Sequence, residues 1–378
     1  MPDSLYLTIL TGPLVPVPAP KPLMDALTSA EVYISDSGQS GCRLTFTLSN
    51  NSSLQTFFLV GSGAAIPFVR VVLVATLGAM PQVLLDGVVT QQRISPEASR
   101  GRSTLTITCT DLTALRDQVD YTGKNFSGQD SKAFVENILA KYGVFGITAN
   151  VTPAYIPDNT YPGKMVPTQV GTDLGQINQL AEEAGYVFYM DPGPVPGQSS
   201  AYWGPRIKIG VPQPALNVNM DAWTNVESLN FRYEPQDTLH PLVFVQDLAT
   251  MQNRLVPIPS ASPISASLGS VMPKAQRVKH LNCTAKLPPE QALMRGIAAS
   301  TNDEDATTGE GTLDVVRYGQ ILNARELVGV RGAGSAFDGI HYVRDTTHQI
   351  KLGEYKQTFT LTRNGIVSNV PTVPVSPF

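Results

Sequence analysis

The sequence predicts a mixed α+β fold that is predominantly β, with two similar antiparallel β-barrel units, an α/β insert between them and a small helical insertion. Three observations predict it. Short runs of alternating polar and apolar residues fill the first 110 positions and return after position 205, which is the period of half-buried strands. Between them the period becomes that of amphipathic helices. Finally, Asp86-Gly87 leads into TLTIT (Thr104 to Thr108), and Asp338-Gly339 leads into TFTLT (Thr358 to Thr362), an internal echo that points to a duplicated β unit.

Taken in order, SLYLTIL (Ser4 to Leu10), CRLTFTL (Cys42 to Leu48) and STLTITCT (Ser103 to Thr110) read as strands. In the last, Leu105, Ile107 and Cys109 fall on one face and four threonines on the other. The prolines of GPLVPVPAPKP (Gly12 to Pro22) remove backbone donors and favour an extended arm or edge cover. Three helices follow. Asp111 to Val119 places Leu112, Leu115 and Val119 on a stripe; Asp130 to Gly143 does so with Phe134, Ile138, Leu139 and Tyr142; Thr172 to Gly185 does so with Leu174, Ile177, Leu180, Ala181 and Ala184. Each opens on a polar cap, and the last two close on glycine. The strand Gly185 to Asp191 and the Pro/Gly/Ser stretch Asp191 to Ser200 end the insert.

Strand patterns resume at RIKIGV (Arg206 to Val211), VESLNFRYE (Val226 to Glu234) and PLVFVQDL (Pro241 to Leu248). A Pro/Ser-rich loop, Pro257 to Ser267, precedes a helix over Pro288 to Thr301, with proline tolerated in its first turn. The acidic stretch Asn302 to Gly311 reads as a solvated loop, and the rest to Gly365 as β. The expected divisions are 1–110 for the first barrel, 111–205 for the insert, 206–256 with 312–366 for the second barrel, 257–311 for the loop and helix insertion, and 367–378 for an extended tail.

Composition excludes several roles. The 27 Lys and Arg stand against 31 Asp and Glu, a formal charge of −4, so there is no basic field to hold nucleic acid. Charged residues make up only 15%, which suggests that much of the surface lies against other chains. The longest apolar run, Val71 to Met80, is far shorter than the ~20 residues of a spanning helix, so no membrane anchoring is expected. MPDSLYLTIL lacks a basic n-region, which predicts synthesis in a cytoplasm. Cys42, Cys109 and Cys283 have no metal spacing and read as reduced core thiols.

No catalytic constellation stands out. His240, His280, His341 and His348 lack the HExxH spacing, and the last two, seven apart, fall on opposite faces of a regular strand. SDSGQSGC (Ser35 to Cys42), VGSGAA (Val60 to Ala65) and GAGSAF (Gly332 to Phe337) miss both the nucleophile elbow and the phosphate loop. Asp303, Glu304 and Asp305 lack the ligand alternation of a calcium loop. Glu182-Glu183 fits the polar side of the third helix. Tyr202, Trp203, Trp223 and Tyr233 have the chemistry to stack on sugars, although aromatics more often pack at domain joints. The sequence therefore predicts no cofactor, no metal and no enzyme. A tail-associated peptidoglycan hydrolase or a glycan-binding module stand as alternatives.

Four stretches resemble the baseplate hub proteins of contractile phage tails and related injection systems, the group of the late control D proteins and the N-terminal part of the VgrG spike. They are Leu10 to Leu27, Leu84 to Leu112, Thr172 to Asp191 and Arg317 to Gly365. The resemblance implies two tube-like barrels per chain and a homotrimeric ring, so that six similar barrels adapt a threefold spike protein to a sixfold inner tube or tube-initiator protein. It implies contact with the baseplate wedge, DNA or effector only as passing cargo, and a place in a virion tail baseplate or injection particle assembled in the bacterial cytoplasm. A closed ring is what heterologous contacts form when they do not grow into a fibre. A neutral to acidic channel lets a polyanion slide. Spike and any enzyme are expected on separate chains. The tail residues Pro371, Val373, Pro374 and Phe378 are the expected partner interface.

Overall fold

The computed structural model of the chain describes residues 5–49, 52–59, 68–97, 101–125, 129–156, 168–247 and 250–369. Pro371, Val373, Pro374 and Phe378, expected to meet a partner, lie outside the described residues.

The chain opens with β1 (Leu5–Gly12), the two-residue β2 (Val17–Pro18), the short helix α1 (Lys21–Asp25), β3 (Leu27–Ser35), β4 (Gly41–Ser49), β5 (Arg70–Leu77), β6 (Met80–Glu97) and β7 (Arg102–Asp111). Alternation works as expected in β4, where Cys42, Leu44, Phe46 and Leu48 are buried and Arg43 and Thr47 point out. In β7, Leu105, Ile107 and Cys109 are buried. The apolar run in β5 is buried on both faces. Val71, Leu73 and Ala75 join the main core, while Val72 and Val74 pack with Val83 and Leu10 on the other side.

The α/β insert holds α2 (Ser131–Ala140), β8 (Ile147–Val151), α3 (Asp173–Ala184), β9 (Val187–Pro192) and β10 (Ser199–Gly204), the strands ordered β8-β10-β9. Three caps are those the sequence predicts: Asp130 accepts from the Ala133 amide, Thr172 from the Gly175 amide, and Gly185 ends α3 at φ 67°. The expected glycine cap of α2 is not formed, because the helix ends on right-handed Lys141 and Gly143 opens a separate 3-10 turn, Gly143–Phe145. The first expected helix is instead a 3-10 turn, Leu112–Arg116, capped by Asp111. It is too short to carry Val119, which is exposed, because the chain leaves it for the bridge Asp120 to Thr172.

The remainder supplies β11 (Gln213–Asn217), β12 (Ser228–Tyr233), β13 (Leu239–Gln246), β14 (Asn253–Val256), β15 (Gly269–Val271), β16 (Arg277–His280), α4 (Pro289–Asn302), β17 (Thr307–Asp314), α5 (Val315–Tyr318), β18 (Leu327–Arg331), β19 (Gly339–Lys351), β20 (Glu354–Arg363) and β21 (Ile366–Ser368). No described helix is long and apolar enough to cross a membrane.

Both ends of the chain contribute to one 13-stranded sheet. In the first β unit the spatial order is β1-β5-β6-β7-β4-β3, and in the second it is β11-β18-β19-β20-β17-β12. With the two-residue β2, which flanks β1, set aside and the six remaining sheet strands of each unit counted in chain order, the two orders are identical. The fold is thus predominantly β and internally repeated, with a long hairpin, β6-β7 or β19-β20, at the centre of each unit. Each hairpin carries a bulge in its first strand, between Val89 and Gln91 and between Val343 and Asp345. Just past the bulge, Thr108 faces Gln91 and Thr360 faces Asp345. The echoed phrases are therefore shifted by two residues relative to the bulges, although they occupy corresponding strands.

Three sequence expectations are revised. RIKIGV is not a strand: Arg206 pairs with Asp36 at 2.6 Å and buried Lys208 with Glu304 and Asp305 at 2.8 Å each, which turns Ile207, Ile209 and Val211 outward. Two inward cations override the apolar pattern, and the acidic loop is the partner of Lys208 rather than a free solvated loop. Second, β13 and β14 do not join the second unit's sheet; they pair with β16 and each other beside α4, because Val243 and Val245 bury against Ala292. Third, β17, expected mostly within the insertion, is a full member of the second unit.

Candidate assembly interfaces

The two β units meet edge to edge inside the chain. Past its bulge, β19 leaves β18 and runs antiparallel to β3, from Asp345 opposite Ser35 to Lys351 opposite Ser29. Thr346, His348 and Ile350 on one side and Ala30 and Val32 on the other are buried beneath the joint. Outward, Ser35 donates to Asp345 Oδ1 at 2.6 Å.

The equivalent positions elsewhere have no such partner. From Gln91 to Pro96, β6 pairs with β7 on one side and, among the described residues, with no strand on the other. The outer edge of β12 is equally open, since among the described residues β12 pairs only with β17. Open edges invite pairing with another chain, and Arg93, Pro96 and Arg232 are the residue types that restrict it to a specific partner.

A buried arginine clasps the three parts of the chain. Arg325 sits at φ 68°, a left-handed conformation costly for a non-glycine residue. Its guanidinium donates twice to the Ser35 carbonyl, at 3.0 and 2.6 Å, once to the Met190 carbonyl at 2.9 Å, and to Ser40 Oγ at 3.2 Å. It lies 3.9 Å from the centroid of the Tyr189 ring. No sequence motif announces it, since every partner is more than a hundred residues away. A second buried pair, Arg70 with Asp86 at 2.6 and 2.7 Å, also takes in Ser199 and the Gly197 carbonyl, fixing β5 and β6 to the insert.

Beside Arg325 opens a cleft of about 500 Å³, lined by Tyr189, Asp191, Ile207, Ile209, Glu326 and His348 among others. Burial raises the pKa of both Asp191 and Glu326, although Arg325 pulls Asp191 back. Asp191 is held by the clasp, with Arg325 Nη1 at 3.4 Å.

The residues considered for chemistry are dispersed. Trp203 is fully buried, donating to the Ile177 carbonyl and packed edge-on against Tyr186. Tyr202 stacks on Tyr189, Trp223 is exposed and Tyr233 lies on β12, so the four aromatics do not form one sugar platform. Glu183 bonds Arg295 of α4 at 2.7 Å. Cys42 and Cys109 face each other across β4 and β7, closer than their sequence separation suggests. The Cys109 thiol is pushed well up, first by its hydrogen bond with Cys42 and then by burial. His240 is half-buried and His280 stacks on Phe244.

His341 and His348 are both buried, and the bulge at Arg344 puts them on the same face of β19, contrary to strict alternation. Val343 and Thr346 oppose Leu361 and Phe359, which share the core side of β20. Burial lowers both imidazoles to about 3, with Arg363 adding to the effect at His341. His348 Nδ1 lies 2.7 Å from Tyr355 Oη. No group of three His, Cys, Asp or Glu side chains among the described residues has the proximity to hold a metal.

No family model and no curated protein match the chain. Solved structures do. A tail protein from Neisseria meningitidis superposes at a TM-score of 0.64 with 13% identity, over 96% of this chain and 98% of that one. The fold is shared with tail proteins and a type VI secretion component. The 43 kDa tail protein of prophage MuSo2 from Shewanella oneidensis gives a TM-score of 0.59, 14% identity, and coverage of 95% and 98%. A type VI secretion component of E. coli, described as similar to T4 tail proteins, gives 0.52, 14%, 92% and 77%. One chain of a Francisella PdpA-VgrG complex gives 0.60 and 10%, over 99% of this chain and 60% of that one.

Proposed function

We propose that this protein is the structural hub of a contractile tail or injection apparatus, in which three copies close a ring around a central channel. One face of that ring receives a threefold spike, and the other seeds a sixfold inner tube. DNA or effector passes through without being bound, and baseplate wedge proteins attach outside. The observation that carries the reading is the repeated strand order: three chains with two like units each present six like units, which reconciles the two symmetries. Support comes also from the low charge density and from the tail proteins and the chain of a PdpA-VgrG complex that share the fold. The role is mechanical, and the tail from position 370 onward would reach toward the spike.

Light scattering tests this reading. The hub predicts a species of 3 × 40.6, or about 122 kDa, with ring-shaped particles in negative stain and no product released from cell-wall sacculi. A chain that stays monomeric at all concentrations, or one that turns over sacculi, overturns it.

A further inference from the structure

The seam inside the chain specifies the seam between chains. We infer that the open edge of β6, Gln91 to Pro96, pairs antiparallel with the open edge of β12, Ser228 to Tyr233, of a second copy. This inference rests on the hub reading and names its partner surface. In the matched strand orders β6 corresponds to β19 and β12 to β3, and β19 and β3 are the strands joined within the chain. The one inter-unit joint that the chain satisfies internally thus has an unsatisfied counterpart at each end of the same chain. A head-to-tail contact of this kind repeats around a ring and closes it.

The register follows from the ladders. The bulges equate Gln91 with Asp345 and Thr108 with Thr360. Going across, Thr108 pairs with Arg43 and Arg43 with Glu31; Thr360 pairs with Glu310 and Glu310 with Asn230. Glu31 therefore corresponds to Asn230. Because Glu31 opposes Gln349 in the internal seam, Asn230 opposes Ser95 in the joint between copies. Ile94 then meets Phe231. The faces agree: Ile94 opposes buried Leu105 on its own hairpin, and Phe231 packs against the main core, so both point inward. A one-residue slip would turn one of them to solvent.

The test uses full-length chain in which exposed Cys283 is replaced by serine, with Ser95→Cys and Asn230→Cys introduced together. A short bis-maleimide should convert it to covalent dimers and trimers, whereas either single cysteine variant should give no trimers. Two further pairings, Ser95→Cys with Ser228→Cys or with Arg232→Cys, sample the same strand face displaced by two residues. If light scattering shows trimers and none of the three pairings links the copies, the edge assignment is wrong while the hub reading survives. If the chain is monomeric before any linker is added, both fall. Efficient linking through Asn230 at the trimer's concentration supports both.

Discussion

The two β units share a strand order and differ in everything hung upon it. In the first, β3 and β4 are joined by the tight turn over 36–40, while in the second the corresponding β12 and β17 are separated by residues 234–306, with β13, β14, β15, β16 and α4. The first unit ends on β1, antiparallel to β5 along its whole length; the second ends on β11, parallel to β18 and registered only at Gln213, Leu216 and Asn217. The long insertion does not hang free. Its α4 packs on α3, with Ala298 against Gly185 and Arg295 bonded to Glu183. The lesson is that the ladder common to both units is the part with a shared task, and insertions are tolerated where a loop costs little.

The largest expected effect probes whether the units stand or fall together. Leu361 is fully buried within a core cluster containing residues of both units, so Leu361→Asp buries an unpaired carboxylate and should yield no soluble folded chain. The milder Leu361→Ala should cost about 2–5 kcal/mol, as should Ile107→Ala in the first unit. Each should lower a single calorimetric transition, and two separated transitions would break the picture of one shared core.

Next comes the clasp. Arg325→Met leaves the Ser35 and Met190 carbonyls without their donors, at a cost of about 2–5 kcal/mol by denaturant unfolding. Arg325→Lys should recover only part of this, since one ammonium lacks the planar fork. A loss below about 0.5 kcal/mol would show that the three parts hold together without it.

The pH response separates the units more sharply, because all four histidines lie beyond residue 239 and the two buried ones are on β19. Both stay neutral when folded down to about 3, against 6.5 for an ordinary imidazole. Between these values the unfolded chain binds the protons the folded chain refuses. Stability is therefore full above pH 6.5 and falls as pH drops, by at most about 1.4 kcal/mol per pH unit for each histidine. His348→Gln should flatten that slope in urea titrations at pH 4–7; an unchanged slope would place the acid sensitivity elsewhere.

The smallest effect is expected at the open edge. Asn230→Lys changes a side chain that is exposed in the single chain, so at concentrations where the chain is unassociated its unfolding free energy should stay within about 0.5 kcal/mol of the parent. A larger shift would mean that β12 supports its own unit more than the ladder indicates.

The legible parts were those governed by local rules. Alternation in β4 and β7, the caps at Asp130 and Thr172, and Gly185 at the end of α3 depend on neighbours a few residues away, so they could be read directly. The echo of Asp-Gly and the Thr-rich phrases located the right strands, but their two-residue shift could be seen only against the bulges. Expected strand RIKIGV failed because its periodicity favours burying the isoleucines, while Lys208 found two carboxylates almost a hundred residues on.

By itself, then, the chain's order of residues determined its class, the three longer helices α2, α3 and α4 and the presence of two related β regions, since propensity and period act over one turn or one strand. Only the folded state decided that the regions share one sheet, that Arg325 joins Ser35 to Met190, and that β6 and β12 keep open edges. These are pairings between distant segments, and backbone hydrogen bonds carry no side-chain signature of the strand they will meet.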